Sequence, residues 1–409
     1  MTTYGDIPGR RVRAALVGLL VLAALPACGA DRDRDRDRDR DARAGGGSPG
    51  VSARGSAAGA AGADDTADPA ARAVAKYLDE VWPDDAPGTV VAARGGDRVV
   101  CSGRGPADPG TGARARCDTV YDIASMTKQF TAAAVVKLQT EGRLRVTDPL
   151  SRYVGGVPAD KRGITLHHLL THTSGLPDSL GDDYDPLSRA GLVSGALAAP
   201  LNSPPGERYA YSNTGYSLLA AVVEKASGTG YESYLADHLF APAGMTGTGY
   251  VLPDWDPARI AVEYDRRGRP QGTPLDHPWA DDGPYWNLRG NGGMLSTARD
   301  MLRWHRALLD DRVLGEQARK LLFKRYVPED GGAASFYGYG WSLLDLDGAP
   351  LATHDGGNDW SAGRVARFLD DGTLVFWISN AAVRAGRWDV PAVDRELTTG
   401  IAERVRARP

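Results

Sequence analysis

Ser125-Met126-Thr127-Lys128 sets a hydroxyl and an amine three residues apart. On a helix, residues i and i+3 share a face and their Cβ atoms are neighbours, so these two side chains can meet. A serine hydroxyl becomes a nucleophile when an adjacent base takes its proton. Lysine can be that base once burial or nearby charge lowers its pKa, whereas arginine stays protonated. Of the 48 basic residues only seven are lysines, so a lysine kept here calls for a chemical reason. No other Ser-x-x-Lys occurs in the chain. A serine at a helix start also reads as a plain N-cap, and the motif alone leaves both readings open.

Later segments add to it. Ile164 to Pro177 reads ITLHHLLTHTSGLP, Pro205 to Asn213 reads PGERYAYSN, and His354-Asp355-Gly356-Gly357 ends a predicted strand. With Ser125 to Lys128 these resemble the serine β-lactamase and penicillin-binding-protein superfamily, on its class C and DD-peptidase side. Gly292 to Met301 and Tyr337 to Trp341 also look like segments of that family, in family order.

The resemblance implies roles residue by residue. Ser125 matches the acylated nucleophile and Lys128 the amine that assists its proton transfer. Tyr211 matches the first residue of the family's Tyr-x-Asn triplet, a base that passes the proton to the leaving group. A phenol with a pKa of about 10 must be lowered for this, and a cation such as Lys128 is the physical means. Asn213 matches the last residue of the triplet, whose amide holds the lysine and the acyl side chain of the substrate. His354, Gly356 and Gly357 stand on the substrate-binding strand, where the family has Lys-Thr-Gly at the first three positions. The N–H groups of Gly357 and Ser125 would form the oxyanion hole. Histidine at 354 is a weaker partner for a substrate carboxylate than lysine, which favours peptidase or esterase work over efficient penicillin hydrolysis.

The implied function is an extracytoplasmic serine hydrolase working through an acyl-enzyme, favoured as a D-alanyl-D-alanine carboxypeptidase or related D-peptidase. The alternatives are a carboxylesterase or class C-like β-lactamase on the same site, and last a non-catalytic protein that binds penicillin or peptidoglycan. The expected substrate is thus a peptidoglycan stem peptide, a β-lactam or an ester. No metal or organic cofactor is implied. His168 and His172 lie at i,i+4 without a third acidic ligand nearby, and the family segment treats the 167–172 histidines as structural. Trp286, Asn287 and Trp360 read equally as cleft or packing residues.

The elements that must position these residues are legible in outline. Asp68-Pro69 opens a helix through Trp82. Strands Gly88 to Arg94 and Arg98 to Ser102 are joined through Gly95-Gly96. A helix is predicted from Ser125 to Thr140, closed by Gly142. The stretch from about 145 to 300 is richer in helix patterns. Strands follow at Tyr337 to Leu346, Ala349 to His354, Ser361 to Leu369 and Thr373 to Ser379, then a helix from Pro391 to Arg406. This predicts an α+β fold of the β-lactamase and DD-peptidase kind, its antiparallel sheet built from both chain ends and flanked by helices, with a mostly helical middle.

Upstream, Arg10, Arg11 and Arg13 precede an apolar run from Ala14 to Leu25 that ends in Leu25-Pro26-Ala27-Cys28. Residues 1–28 read as a signal peptide with a lipobox-like end, which makes the protein either a lipoprotein attached to the membrane only through Cys28 or, if a simple signal is cut near Ala27 or Ala30, a secreted one. Residues 29–67 alternate Asp and Arg and then turn Gly/Ala-rich, a disordered linker that cannot bury a core. Residues 68–409 form the hydrolase domain, expected to be monomeric. The 409-residue chain carries 48 basic and 52 acidic residues, a net charge of −4, which leaves no basic field for nucleic acid. Its three cysteines are too few for a disulfide scaffold. Cys101 and Cys117 read either as a disulfide or as two buried thiols.

Overall fold

The computed structural model describes residues 68–407 apart from 96–97, 330–331 and 333. The signal segment, Cys28 and the linker lie outside the described residues. Asp68 caps the first helix by accepting a hydrogen bond from Ala70 N at 2.9 Å, and Pro69 opens α1 (Pro69–Val81). Strands β1 (Gly88–Arg94) and β2 (Arg98–Arg104) pair antiparallel from Gly88–Arg104 to Arg94–Arg98. After β3 (Val120–Asp122) and a tight turn comes α2 (Lys128–Thr140). The middle of the chain contributes α3 (Asn213–Ser227), β4 (Leu295–Thr297), α4 (Ala298–Ala307) and α5 (Glu316–Leu322). The last part supplies β5 (Val327–Pro328), β6 (Ser335–Tyr337), β7 (Ser342–Leu346), β8 (Ala349–Gly357), β9 (Ala362–Phe368), β10 (Thr373–Ser379) and α6 (Asp394–Arg406).

Eight of these strands form one antiparallel sheet in the order β2-β1-β10-β9-β8-β7-β6-β5, so the N-terminal hairpin docks on the last strand of the C-terminal run. The α+β expectation, with a sheet drawn from both ends around a helical middle, describes the molecule. Both faces of the sheet are covered, which is why β10 reads as an unbroken apolar run rather than an alternating one. Leu374, Phe376 and Ile378 enter one core while Val375 and Trp377 enter the other, the two-residue period of a strand. Val74, Leu78 and Trp82 of the α1 region and Leu397, Ile401 and Val405 of α6 cover one face. The opposite core holds Phe130 and Val135 of α2, Leu218 and Val222 of α3 and Trp304 of α4.

Two elements differ from the sequence expectation. The residues from Ala124 to Thr127 form a 3-10 turn and the α-helix starts only at Lys128, so Ser125 is not an α-helix N-cap. The expected strand from Tyr337 to Leu346 is cut in two by Gly338 to Trp341. Gly340 has φ +75°, and a Cβ there would come within 2.8 Å of Lys128 O, so the chain turns where it presses on α2. Cys101 and Cys117 are joined as a disulfide with their Cα atoms 6.0 Å apart.

Candidate active site

Strand β3 pairs with β4 and delivers the chain into the turn that carries Ser125. Ala124, just before it, adopts φ +45°, a conformation that a residue with a Cβ rarely takes. Its N–H donates to Asp122 Oδ1 at 2.7 Å, which holds the strained turn in place. Ser125 is half-buried and Lys128 is fully buried. Lys128 Nζ donates to Ser125 Oγ at 3.2 Å, to Asn213 Oδ1 at 2.8 Å and to the Asn291 carbonyl at 2.7 Å. Burying an ammonium is costly unless its donors are matched, and here all three find acceptors. None of these three acceptors is charged.

The opposite wall is set by the start of α3. Ser212 caps this helix, accepting from Gly215 N at 3.0 Å and donating to the Pro177 carbonyl at 2.7 Å. Asn213 donates its Nδ2 to Asp178 Oδ1 at 3.1 Å, which turns its Oδ1 toward Lys128. The Tyr211 ring centre lies 4.8 Å from Lys128 Nζ. That ring stacks on His172 with centroids 4.3 Å apart and planes 28° from parallel. His172 is fully buried at φ +57°, and its Nδ1 accepts from Ser212 N at 3.0 Å. One imidazole therefore fixes both the tyrosine ring and the helix cap beside it. His167 meets Tyr339 OH through Nδ1 at 2.8 Å, and His168 closes a capping box with Thr165. Among the described residues no group of three or more His, Cys, Asp or Glu is arranged to hold a metal ion.

The third wall is the end of β8. Gly356 is pressed against the Ser125 turn: a Cβ there would stand 2.3 Å from Ile123 O and 3.2 Å from Ser125 N. Only glycine lets the strand approach so closely. Gly357 follows, paired with Ala362 of β9. His354 is buried, with Nδ1 donating to the Asp355 carbonyl at 2.6 Å and Nε2 accepting from Tyr337 OH at 3.1 Å. Burial pushes its pKa down to about 4 and the Lys128 cation adds to that, so the imidazole is neutral at pH 7. The strand thus presents no cation at this position.

Beneath the turn lies a buried polar cluster with no signature in the sequence. Burial, and then the neighbouring Glu263, push the Asp122 carboxyl up to about 8. Asn358 spans the two acids, its Nδ2 at 3.4 Å from Asp122 Oδ2 and 3.1 Å from Glu263 Oε1. Its Oδ1 accepts from the backbone of Trp360 at 2.9 Å and Ser361 at 2.6 Å. The Ser125 turn is thereby tied to the loop that follows Gly356-Gly357. Glu263 also accepts from Ser361 Oγ and meets His277 Nε2, each at 2.8 Å. Trp360 stacks on His277 at 4.5 Å and 7°, with Tyr184 on His277 at 4.7 Å. Trp286 and Asn287 are buried, and Asn287 Nδ2 donates to the Asp182 carbonyl at 3.0 Å, a packing role for the loop beside Asp178.

A family model described as Beta-lactamase matches residues 50–396. The chain belongs to the β-lactamase family. This β-lactamase-family chain is 30% identical to penicillin-binding protein 4* of Bacillus subtilis over 72% of its length and 68% of that protein. It is 30% identical to the D-alanyl-D-alanine-carboxypeptidase/endopeptidase AmpH of Escherichia coli K12, covering 66% of this chain and 73% of that one. Among solved structures, the β-lactamase/D-alanine carboxypeptidase of Yersinia pestis superimposes with a TM-score of 0.69 at 26% identity, over 82% of this chain and 99% of that one. The chain is a serine hydrolase of the β-lactamase and penicillin-binding-protein family.

Proposed function

We propose that Ser125 is the acylated nucleophile, that Lys128 takes its proton, and that Tyr211 passes a proton to the leaving group. The carrying observation is the buried Lys128 amine, 3.2 Å from Ser125 Oγ and held by two neutral oxygens. In this reading Ser125 Oγ attacks the scissile carbonyl as its proton moves toward Lys128. The carbonyl oxygen becomes an oxyanion under the N–H groups of Ser125 and Gly357. Collapse expels the leaving group with a proton that Tyr211 delivers and regains from Lys128, so both side chains return to their starting forms, and it leaves an ester on Ser125, which water then hydrolyses. Asn213 keeps Lys128 in line and faces the acyl side chain, while His354 and Gly356 shape the strand along which the substrate lies.

The substrate class favoured is a D-alanyl-D-alanine peptide or a related D-peptide, cleaved outside the cytoplasm. The kinship with penicillin-binding protein 4* and the AmpH carboxypeptidase/endopeptidase supports it. A carboxylesterase is the second reading, favoured by the neutral His354, which offers no positive charge to a substrate carboxylate. Release of D-alanine from a D-alanyl-D-alanine peptide, compared with release of p-nitrophenol from a short-chain ester, separates the two. Faster peptide turnover supports the carboxypeptidase. Ester turnover without D-alanine release makes the protein an esterase. In the same reading residues 1–28 are a signal with lipidation at Cys28, residues 29–67 a tether, and the domain a monomer. Fractionation of cells carrying the Cys28→Ala variant tests the anchor, since only a lipoprotein would move from membrane to medium. Among the described residues no helix is long and apolar enough to cross a membrane.

A further inference from the structure

We propose that the cleft between the end of α4, helix α5 and the β9–β10 turn is a second binding site, one that takes a small carboxylate with an apolar tail. Its walls include Leu308, Leu309, Arg319, Phe323, Arg367 and Leu369, and its volume is about 370 Å³, room for a ligand of modest size.

The central observation is Arg367 on β9, only 3% exposed. Its Nη1 donates to His305 Nδ1 at 2.7 Å and to the His305 carbonyl at 3.2 Å, and its buried Nε has no hydrogen-bond partner. His305 Nε2 donates to the Gly372 carbonyl at 3.0 Å, which leaves Nδ1 as a neutral acceptor. No Asp or Glu among the described residues forms an ion pair with Arg367. A guanidinium buried without a counterion is the least favourable way to place a charge in a protein, and a ligand anion would remedy it. The nearest influential charge has the same sign: burial first, and then Arg319, lower the Arg367 pKa to about 9. Arg319 itself pairs with Asp311 and backbone carbonyls. At the rim Lys320 and Glu316 neutralise each other at 2.6 Å. The excess charge facing the cleft is therefore positive.

The apolar half of the ligand follows from the rim. Among the described residues four large apolar side chains are exposed, and two of them, Leu309 at 41% and Leu369 at 39%, line this cleft. Phe323 lies under the guanidinium with its ring 5.7 Å away. Apolar surface that a soluble chain leaves open beside a buried cation fits an amphiphile with one acidic head. A carboxylate accepts a charge-assisted hydrogen bond from a guanidinium more strongly than a neutral oxygen does. Strand β9 begins opposite Gly357 and runs about 20 Å before it reaches this cleft, so the site is separate from Ser125.

The test is calorimetric titration of the full chain with octanoate, 1-octanol and acetate. Octanoate should bind at least about tenfold more tightly than either of the others, since octanol lacks the charge and acetate the tail. Arg367→Met should weaken octanoate at least tenfold while leaving hydrolytic turnover unchanged. Leu309→Asp, at a side chain 41% exposed, should weaken it as well by setting a carboxylate at the rim, and it decides the matter if Arg367→Met does not fold. Equal affinity for octanol or for acetate, octanoate binding unaffected by Leu309→Asp, or no heat at millimolar octanoate would each overturn the proposal. These readouts are binding constants, so the result is independent of which substrate Ser125 attacks.

Discussion

At the scale of single residues the site turns on why position 128 is lysine in a chain so rich in arginine. A guanidinium there would hydrogen-bond to Asn213 and Asn291 but could not accept the Ser125 proton. Lys128→Arg should therefore fold and bind substrate, yet lose about 10²–10⁴ in kcat/KM for ester or peptide. Steady-state kinetics beside a circular-dichroism spectrum checks this, and retention of even a tenth of the activity would count against Lys128 as base. The pair Ser125 and Lys128 was legible in the sequence because its contact spans three residues. The acceptors that hold the lysine were not all legible. Asn291 reaches it through a backbone carbonyl 163 residues away, and a carbonyl carries no residue-type signal. His172 was visible as part of a family segment, but its place under Tyr211 follows from the packing of a distant loop on α3.

At the scale of elements, the site is a junction of the Ser125 turn, the start of α3 and the end of β8, and Gly356 sets the closeness of two of them. Gly356→Ala would drive a methyl into Ile123 O, a backbone atom that cannot rotate away. The expected cost is about 1–3 kcal/mol of stability, with a loss of kcat out of proportion to it, because strand and turn must part beside Ser125, where the proposed oxyanion hole lies. Gly155→Ala, where nothing lies within 4 Å of the new methyl, is the control and should leave both unchanged. Thermal melts and turnover of the two variants read the difference. The strands were well legible wherever a run of apolar residues ended in a turn, as Thr373 to Ser379 did. The 3-10 turn at Ser125 was missed because its cause, the Asp122 bond to Ala124 N at positive φ, is a matter of conformation rather than of residue pattern.

At the scale of the whole molecule, two buried groups give stability an opposite dependence on pH. His354 has its pKa lowered from 6.5 to about 4 on folding, so the unfolded chain binds the proton more readily. Its contribution is complete above pH 6.5 and is lost as pH falls toward 4. Asp122 has its pKa raised from 3.8 to about 8, so the folded chain holds the extra proton and stability declines as pH rises toward 8. Between about pH 6.5 and 8 only the second effect acts. Melting temperature should fall across that window, and Asp122→Asn should flatten the fall. An identical slope in Asp122→Asn would contradict the assignment. The disulfide acts on the whole chain through the unfolded state, closing a loop between cysteines 16 residues apart. Replacing Cys101 and Cys117 together by serine should lower unfolding free energy by about 3 kcal/mol in a denaturant titration while leaving the acyl chemistry intact. The pairing of these cysteines was undecided in the sequence because it depends on the register that brings β2 against the chain leading into β3.

The central claim is that Ser125 carries the acyl group. Its most direct measurement is the intact mass of the protein after brief exposure to a penicillin and, separately, to a p-nitrophenyl ester with acid quench, with Ser125→Ala beside it. An acyl adduct in the unaltered protein, with neither adduct nor turnover in the variant, is the expected result. An adduct of the same mass or undiminished turnover in Ser125→Ala would contradict it.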